Sequence, residues 1–96
     1  MSKYHLSETA KEDLYRIYKY GLERFGMKQA DLYFFAFFER FEQIANQPFL
    51  FPEVAEIREG YRRCPCGKDS IYYKLNREFV EIIRILGHQD VEGLRE

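Results

Sequence analysis

The sequence predicts a two-layer α+β domain with the element order β-α-α-β-β-β. Three observations predict it. Between Ser7 and about Asn46, apolar residues recur at spacings of three and four. Past Pro48 and Pro52 the pattern shortens to strand-length runs, the last ending at Leu86. A short alternating segment, Tyr4-His5-Leu6, stands ahead of the helices. A helical hairpin must bury its apolar stripe, and a small, mostly antiparallel sheet is the surface the rest of the chain offers.

The first helix opens at Ser7, a residue type that caps helix N-termini, with Glu8 favourably placed in the first turn. Its stripe is Ala10, Leu14, Ile17, Tyr18, Gly21, Leu22 and Phe25, and Lys11, Glu12, Arg16, Lys19 and Glu23 fall opposite. Phe25-Gly26 ends it, since glycine accepts the left-handed conformation common just past a helix. The second helix runs from about Lys28 to Asn46 on a stripe of Ala30, Tyr33, Phe34, Phe37, Phe38, Phe41, Ile44 and Ala45. A linker this short makes the two helices antiparallel neighbours. Leu32 and Phe35 point away from the stripe, beside Glu39 and Gln43. Burying a Phe is worth about 1.5–3 kcal/mol. Their exposure therefore suits a partner contact, although single exposed apolar residues are common.

Gln47-Pro48 stops the second helix, and Phe49 to Glu56 reads as an irregular connection. The next strand is expected near Ile57 to Tyr61, continuing to about Cys64, with Pro65-Cys66-Gly67-Lys68-Asp69 as the turn. Ser70 to Leu75 follows, then a turn at Asn76-Arg77-Glu78 and a last strand from Phe79 to Leu86. Apolar residues on both sides of that last strand predict an interior position. The far face of the sheet is expected to lack cover, with Arg84 projecting from it or near it.

Composition narrows the function. The 96 residues suit one domain, and 46% hydrophobic content suffices for a packed interior. No apolar run approaches the roughly 20 residues that span a bilayer, and the N-terminus lacks a signal-peptide pattern, so a cytoplasmic location is expected. Net charge is −1. Phosphate-backbone binding usually shows as a basic excess, so general or sequence-specific nucleic-acid binding is disfavoured, although Arg58, Arg62, Arg63 and Lys68 form a local basic stretch. Cys64-Pro65-Cys66 supplies two thiols where a structural zinc site needs four ligands, and His5 and His88 lie near opposite ends. The expectation is two free thiols at a turn or strand end, with no metal and no cofactor.

Arg84, amid Ile82, Ile83, Ile85 and Leu86, needs a partner because an unpaired buried charge is very costly. That partner is either Glu81 or another carboxylate of this chain, or an acidic group on a second protein. His88 has a side chain suited to proton transfer, but no second acid or base is evident beside it. A solvated tail position is the plainer reading.

Three segments together resemble the ParE toxins of bacterial toxin-antitoxin modules. They are Leu6-Ser7 with Ala10 and Leu14, Phe25-Gly26 with Ala30, and Ile82-Ile83-Arg84-Ile85-Leu86 with His88 and Asp90. The departures are Gly87 inserted before His88 and the Cys-Pro-Cys turn. The resemblance implies the RelE/ParE-like fold and a non-enzymatic toxin that binds DNA gyrase, with a role in plasmid stabilisation. It also implies a ParD-like antitoxin, wrapped around the helical hairpin and covering the sheet. Target contacts are then expected at Arg84, His88, Asp90, Arg62 and Arg63, and antitoxin contacts at Leu32, Phe35, Tyr72 and Lys74. The related RelE toxins, which cut messenger RNA on the ribosome, are the alternative. They carry a basic groove and a catalytic tyrosine or histidine near the C-terminus, whereas here the last two strands offer only Lys74 and Arg84. A third reading is a chain of this fold that has lost toxicity and serves as a binding module.

Overall fold

A computed structural model describes residues 3–87 and 90–95. The elements are β1 (Tyr4–Leu6), α1 (Glu8–Phe25), α2 (Met27–Asn46), β2 (Arg62–Cys66), β3 (Asp69–Leu75), β4 (Val80–Gly87) and a short α3 (Glu92–Arg95). The four strands form one sheet in the order β1-β4-β3-β2, with β1 parallel to β4 and the other pairs antiparallel. The expected two-layer order holds, β4 is interior, and α3 is an addition.

Local chemistry explains the helix boundaries. The Ser7 hydroxyl accepts from the Ala10 amide at 2.9 Å and donates to the Ile83 carbonyl at 2.8 Å, so one side chain caps α1 and ties it to β4. Gly26 alone joins α1 to α2. Its φ of 88° and ψ of 171° lie in a region open essentially to glycine. The two helices can therefore reverse direction across one residue.

The α2 stripe faces the sheet as its spacing predicts. Phe37, Phe41 and Ile44 are fully buried against Ile71, Tyr73, Ile82 and Ile85, while Tyr33, Phe34 and Phe38 pack at the margin. On α1 the buried positions stop at Ile17. Leu22 and Phe25, expected on the stripe, are exposed; past Ile17 the helix walls a groove, which Phe25 lines and Leu22 does not.

Two expectations need correction. The segment from Ile57 to Tyr61 is not strand. The Ile57 and Arg58 amides both donate to the Val54 carbonyl, and Tyr61 donates to Arg58, so local turns occupy the groups a ladder would need. β2 begins at Arg62 and runs through Pro65 to Cys66, leaving Gly67-Lys68 as the turn. Pro65 is tolerated because β2 is an edge strand, where a missing donor costs least. The far face of the sheet is also not bare. Val54, Tyr72, Leu86 and Leu94 form a second buried cluster, with Ile57, Tyr61, Ile83 and Val91 packed around it. Side chains alternate across a strand, so Tyr72 faces away from Ile71 and Tyr73 into this cluster. The 54–61 turns and the C-terminal segment supply the cover.

Candidate functional site

The two helices and the β2–β3 hairpin wall a groove of about 610 Å³, with Gly87 of β4 and Asp90 also on its lining. Ile17, Tyr20 and Phe25 line it from α1, Tyr33 and Phe34 from α2, and Lys68 from the β2–β3 hairpin. The hairpin tip is clasped to both helices. Lys68 Nζ sits 4.3 Å from the centre of the Tyr20 ring. The Tyr33 hydroxyl donates to Asp69 Oδ2 at 2.8 Å and approaches the Cys66 carbonyl at 2.9 Å. Burial and the Asp69 carboxylate raise the Tyr33 pKa well above the ordinary phenol value, so the hydroxyl stays a donor at neutral pH. Leu32 and Phe35, 57% and 60% exposed, stand outside the groove on the same helix.

Asp13 and Arg84 meet beside the sheet. Pairing between β1 and β4 ends at Leu6 and Ile82, and the β3–β4 register is irregular at Tyr72/Tyr73. Beyond that point, among the described residues, no strand lies on the β1 side of β4, and α1 supplies side chains in its place. Ser7 reaches the Ile83 carbonyl, Asp13 accepts from the Ile85 amide at 2.9 Å, and Arg16 donates to the Ile85 carbonyl at 3.3 Å. Asp13 also accepts from Arg84 Nε at 2.8 Å, from Arg84 Nη2 at 3.1 Å and from Arg16 Nη2 at 3.2 Å. Its side chain is 5% exposed, so these donors replace the water it has lost. The bond to Asp13 is the main cause that raises the Arg84 pKa, and the guanidinium remains charged.

The partner of Arg84 is thus a carboxylate of this chain, but on α1 and not Glu81. Asp13 is the functional candidate the sequence reading missed. The signal was present: an acid at Asp13, between Ala10 and Ile17 on a buried stripe, needs a cation as much as an arginine among isoleucines needs an anion.

The other expected contacts are scattered. Arg62 donates to the Phe51 carbonyl at 2.7 Å and to Glu53 at 3.4 Å, with its guanidinium 5.0 Å from the Phe49 ring, so it braces the 49–53 loop. Arg63 is half-buried and lies in one cross-strand row with Tyr72 and Arg84. Lys74 is exposed opposite Glu81. Tyr72, expected at an antitoxin contact, is 1% exposed beneath the second cluster and has no surface to offer in this structure. Asp90 is exposed, close enough to act electrostatically on Arg84. His88 lies outside the described residues.

Cys64 and Cys66 are free and buried on the helix side of β2. Burial pushes the Cys64 thiol up to about 11, with Arg40 opposing the rise. Among the described residues, no group of three or more His, Cys, Asp or Glu is placed to hold a metal ion. Among the same residues, no helix is long and apolar enough to cross a membrane.

Comparison with known proteins agrees with this architecture. The model of a family described as "ParE toxin of type II toxin-antitoxin system, parDE" matches residues 4–92. A toxin named ParE1 from Caulobacter vibrioides is 38% identical over 93 residues, spanning 97% of this chain and 95% of that toxin. ParE1 of Mycobacterium tuberculosis is 29% identical over 92 residues, spanning 95% and 93% respectively. A solved structure described as a chromosomal ParDE toxin-antitoxin system from P. aeruginosa superposes with a TM-score of 0.80 at 17% identity, covering 91% of this chain and 96% of that one. The E. coli DinJ-YafQ complex gives 0.61 at 14% identity, covering 94% and 97%. Those two likenesses bear on the fold, and the sequence matches bear on the family. The chain belongs to the ParE toxin family of type II toxin-antitoxin systems.

Proposed function

We propose that this toxin acts by binding DNA gyrase in the cytoplasm, without catalysing a reaction, and that a ParD-like antitoxin neutralises it. The observation that carries the non-catalytic reading is the commitment of Arg84 to Asp13. A nuclease needs cations free to hold a scissile phosphate and an acid-base pair beside them. Here the charge of Arg84 is already offset by an internal carboxylate through Nε and Nη2, so the edge left over suits a hydrogen-bond acceptor on a partner better than the charge of a scissile phosphate. The groove between the helices and the β2–β3 hairpin supports the antitoxin half of the reading. It is lined largely by apolar and aromatic side chains, and Leu32 and Phe35 extend that character along α2. An antitoxin segment with apolar anchors would bury them.

The test is supercoiling by purified gyrase with and without this protein. Inhibition, together with filamentous cells and a DNA-damage response on induction, supports the proposal. Intact supercoiling with messenger RNA fragments accumulating would replace it with a RelE-like nuclease.

A further inference from the structure

We propose that Asp13 is a positioning residue for the toxin's action, holding Arg84 and the end of β4 in the geometry the target meets. The inference rests on the reading that this chain acts by binding gyrase. Asp13 grips the Nε and Nη2 side of the Arg84 guanidinium. That two-point grip fixes the plane of the fork and, among the described residues, leaves Nη1 for an acceptor outside the chain. The Arg84 side chain keeps 29% of its surface exposed, so part of it is reachable from outside. The same carboxylate binds the Ile85 amide, which sets the backbone just before the segment that leads to Asp90. Orientation and strand end therefore depend on one buried side chain.

A structural role alone would tie toxicity to stability, and Ser7 separates the two. Its hydroxyl holds the same edge of β4 at Ile83 without touching Arg84. Asp13→Asn keeps the size and one acceptor oxygen but removes the charge that holds the fork. Ser7→Ala, Asp13→Asn, Arg84→Ala and the Asp13→Asn/Arg84→Ala double variant are compared by circular dichroism melting, inhibition of purified gyrase, and growth arrest on induction.

Expected is a folded Asp13→Asn protein about tenfold weaker as an inhibitor, with the double variant no weaker than Arg84→Ala alone, since the two residues act as a unit. Ser7→Ala should lower the melting temperature and keep its inhibition. Asp13→Asn inhibition within about twofold of the unchanged chain, or full additivity with Arg84→Ala, overturns the proposal. So does a Ser7→Ala loss that matches Asp13→Asn at equal melting temperature. Should Asp13→Asn not fold, Arg84→Lys tests the same point from the other side. Its ammonium keeps Asp13 paired but lacks the fork, so a large loss is expected and full inhibition overturns the idea. If the unchanged chain arrests growth without inhibiting gyrase, the gyrase reading fails, and growth arrest still carries the comparison of Asp13 with Arg84.

Discussion

Gly67 lies directly against the ring of Tyr33, with no room for a side-chain carbon between them. The turn from β2 to β3 is thereby fitted to α2, and the Tyr33 hydroxyl reaches past the glycine to Asp69. Gly67 also has a φ of 62°, in the left-handed region. A positive φ at only the first position of a two-residue hairpin loop suits a type II′ turn, which favours glycine there. Gly67→Ala should therefore destabilise the domain by about 2–4 kcal/mol, combining backbone strain with overpacking. Denaturant melts check this, and an unchanged midpoint would show that the clasp yields freely.

Phe37 is fully buried between α2 and the sheet, with Tyr33 edge-on to it at 4.8 Å between ring centres. Phe37→Ala should cost about 3–5 kcal/mol, the usual range for truncating a buried aromatic. A loss under about 1 kcal/mol in urea melts would mean the stripe is not the core.

Leu32 and Phe35 are exposed on a helix whose core stripe is already satisfied. Leu32→Ser with Phe35→Ser should leave the melting temperature nearly unchanged and weaken binding of the antitoxin encoded by the neighbouring reading frame. Titration calorimetry measures the second effect. Equal affinity for the doubly substituted protein would remove these residues from the interface.

Arg84→Ala should relieve growth arrest, while His88→Ala should retain most of it, because binding and not proton transfer is proposed. The outcome with His88 essential and RNA cleaved would favour the nuclease. Removing Arg84 leaves the buried Asp13 carboxylate with Arg16 and one amide, and breaking such a pair costs up to about 3–5 kcal/mol. Circular dichroism of the variant must therefore accompany its phenotype.

Alkaline pH should destabilise the fold. Burial raises the Cys64 pKa from 9.0 to about 11 and the Tyr73 pKa from 10.0 to about 12, and it moves Tyr33 the same way. In the folded chain these groups hold protons that the unfolded chain releases. Their contribution is full below the unfolded values of 9.0 and 10.0 and is lost as pH rises through about 11 and 12. The urea midpoint should accordingly fall as pH rises above about 9. A flat profile up to pH 11 would contradict the burial of these side chains.

The sequence by itself determined the two helices, their tight reversal at Gly26, the sheet-facing stripe at Phe37 and Phe41, and the interior place of β4. These follow from local periodicity and from residue types with narrow conformational preferences, which need no knowledge of distant contacts. Only the tertiary structure decided where β2 begins. Ile57 and Tyr61 look like strand residues, but with Val54 and Leu94 they cover Tyr72 on the sheet's second face, and Val54, Tyr72 and Leu94 are remote from one another in sequence. Tertiary structure alone also decided the partner of Arg84. A buried charge requires a counter-charge, and that requirement is legible in the sequence. The choice of Asp13, 71 residues away, depends on β1 ending at Leu6 and α1 taking the edge of β4 that it vacates.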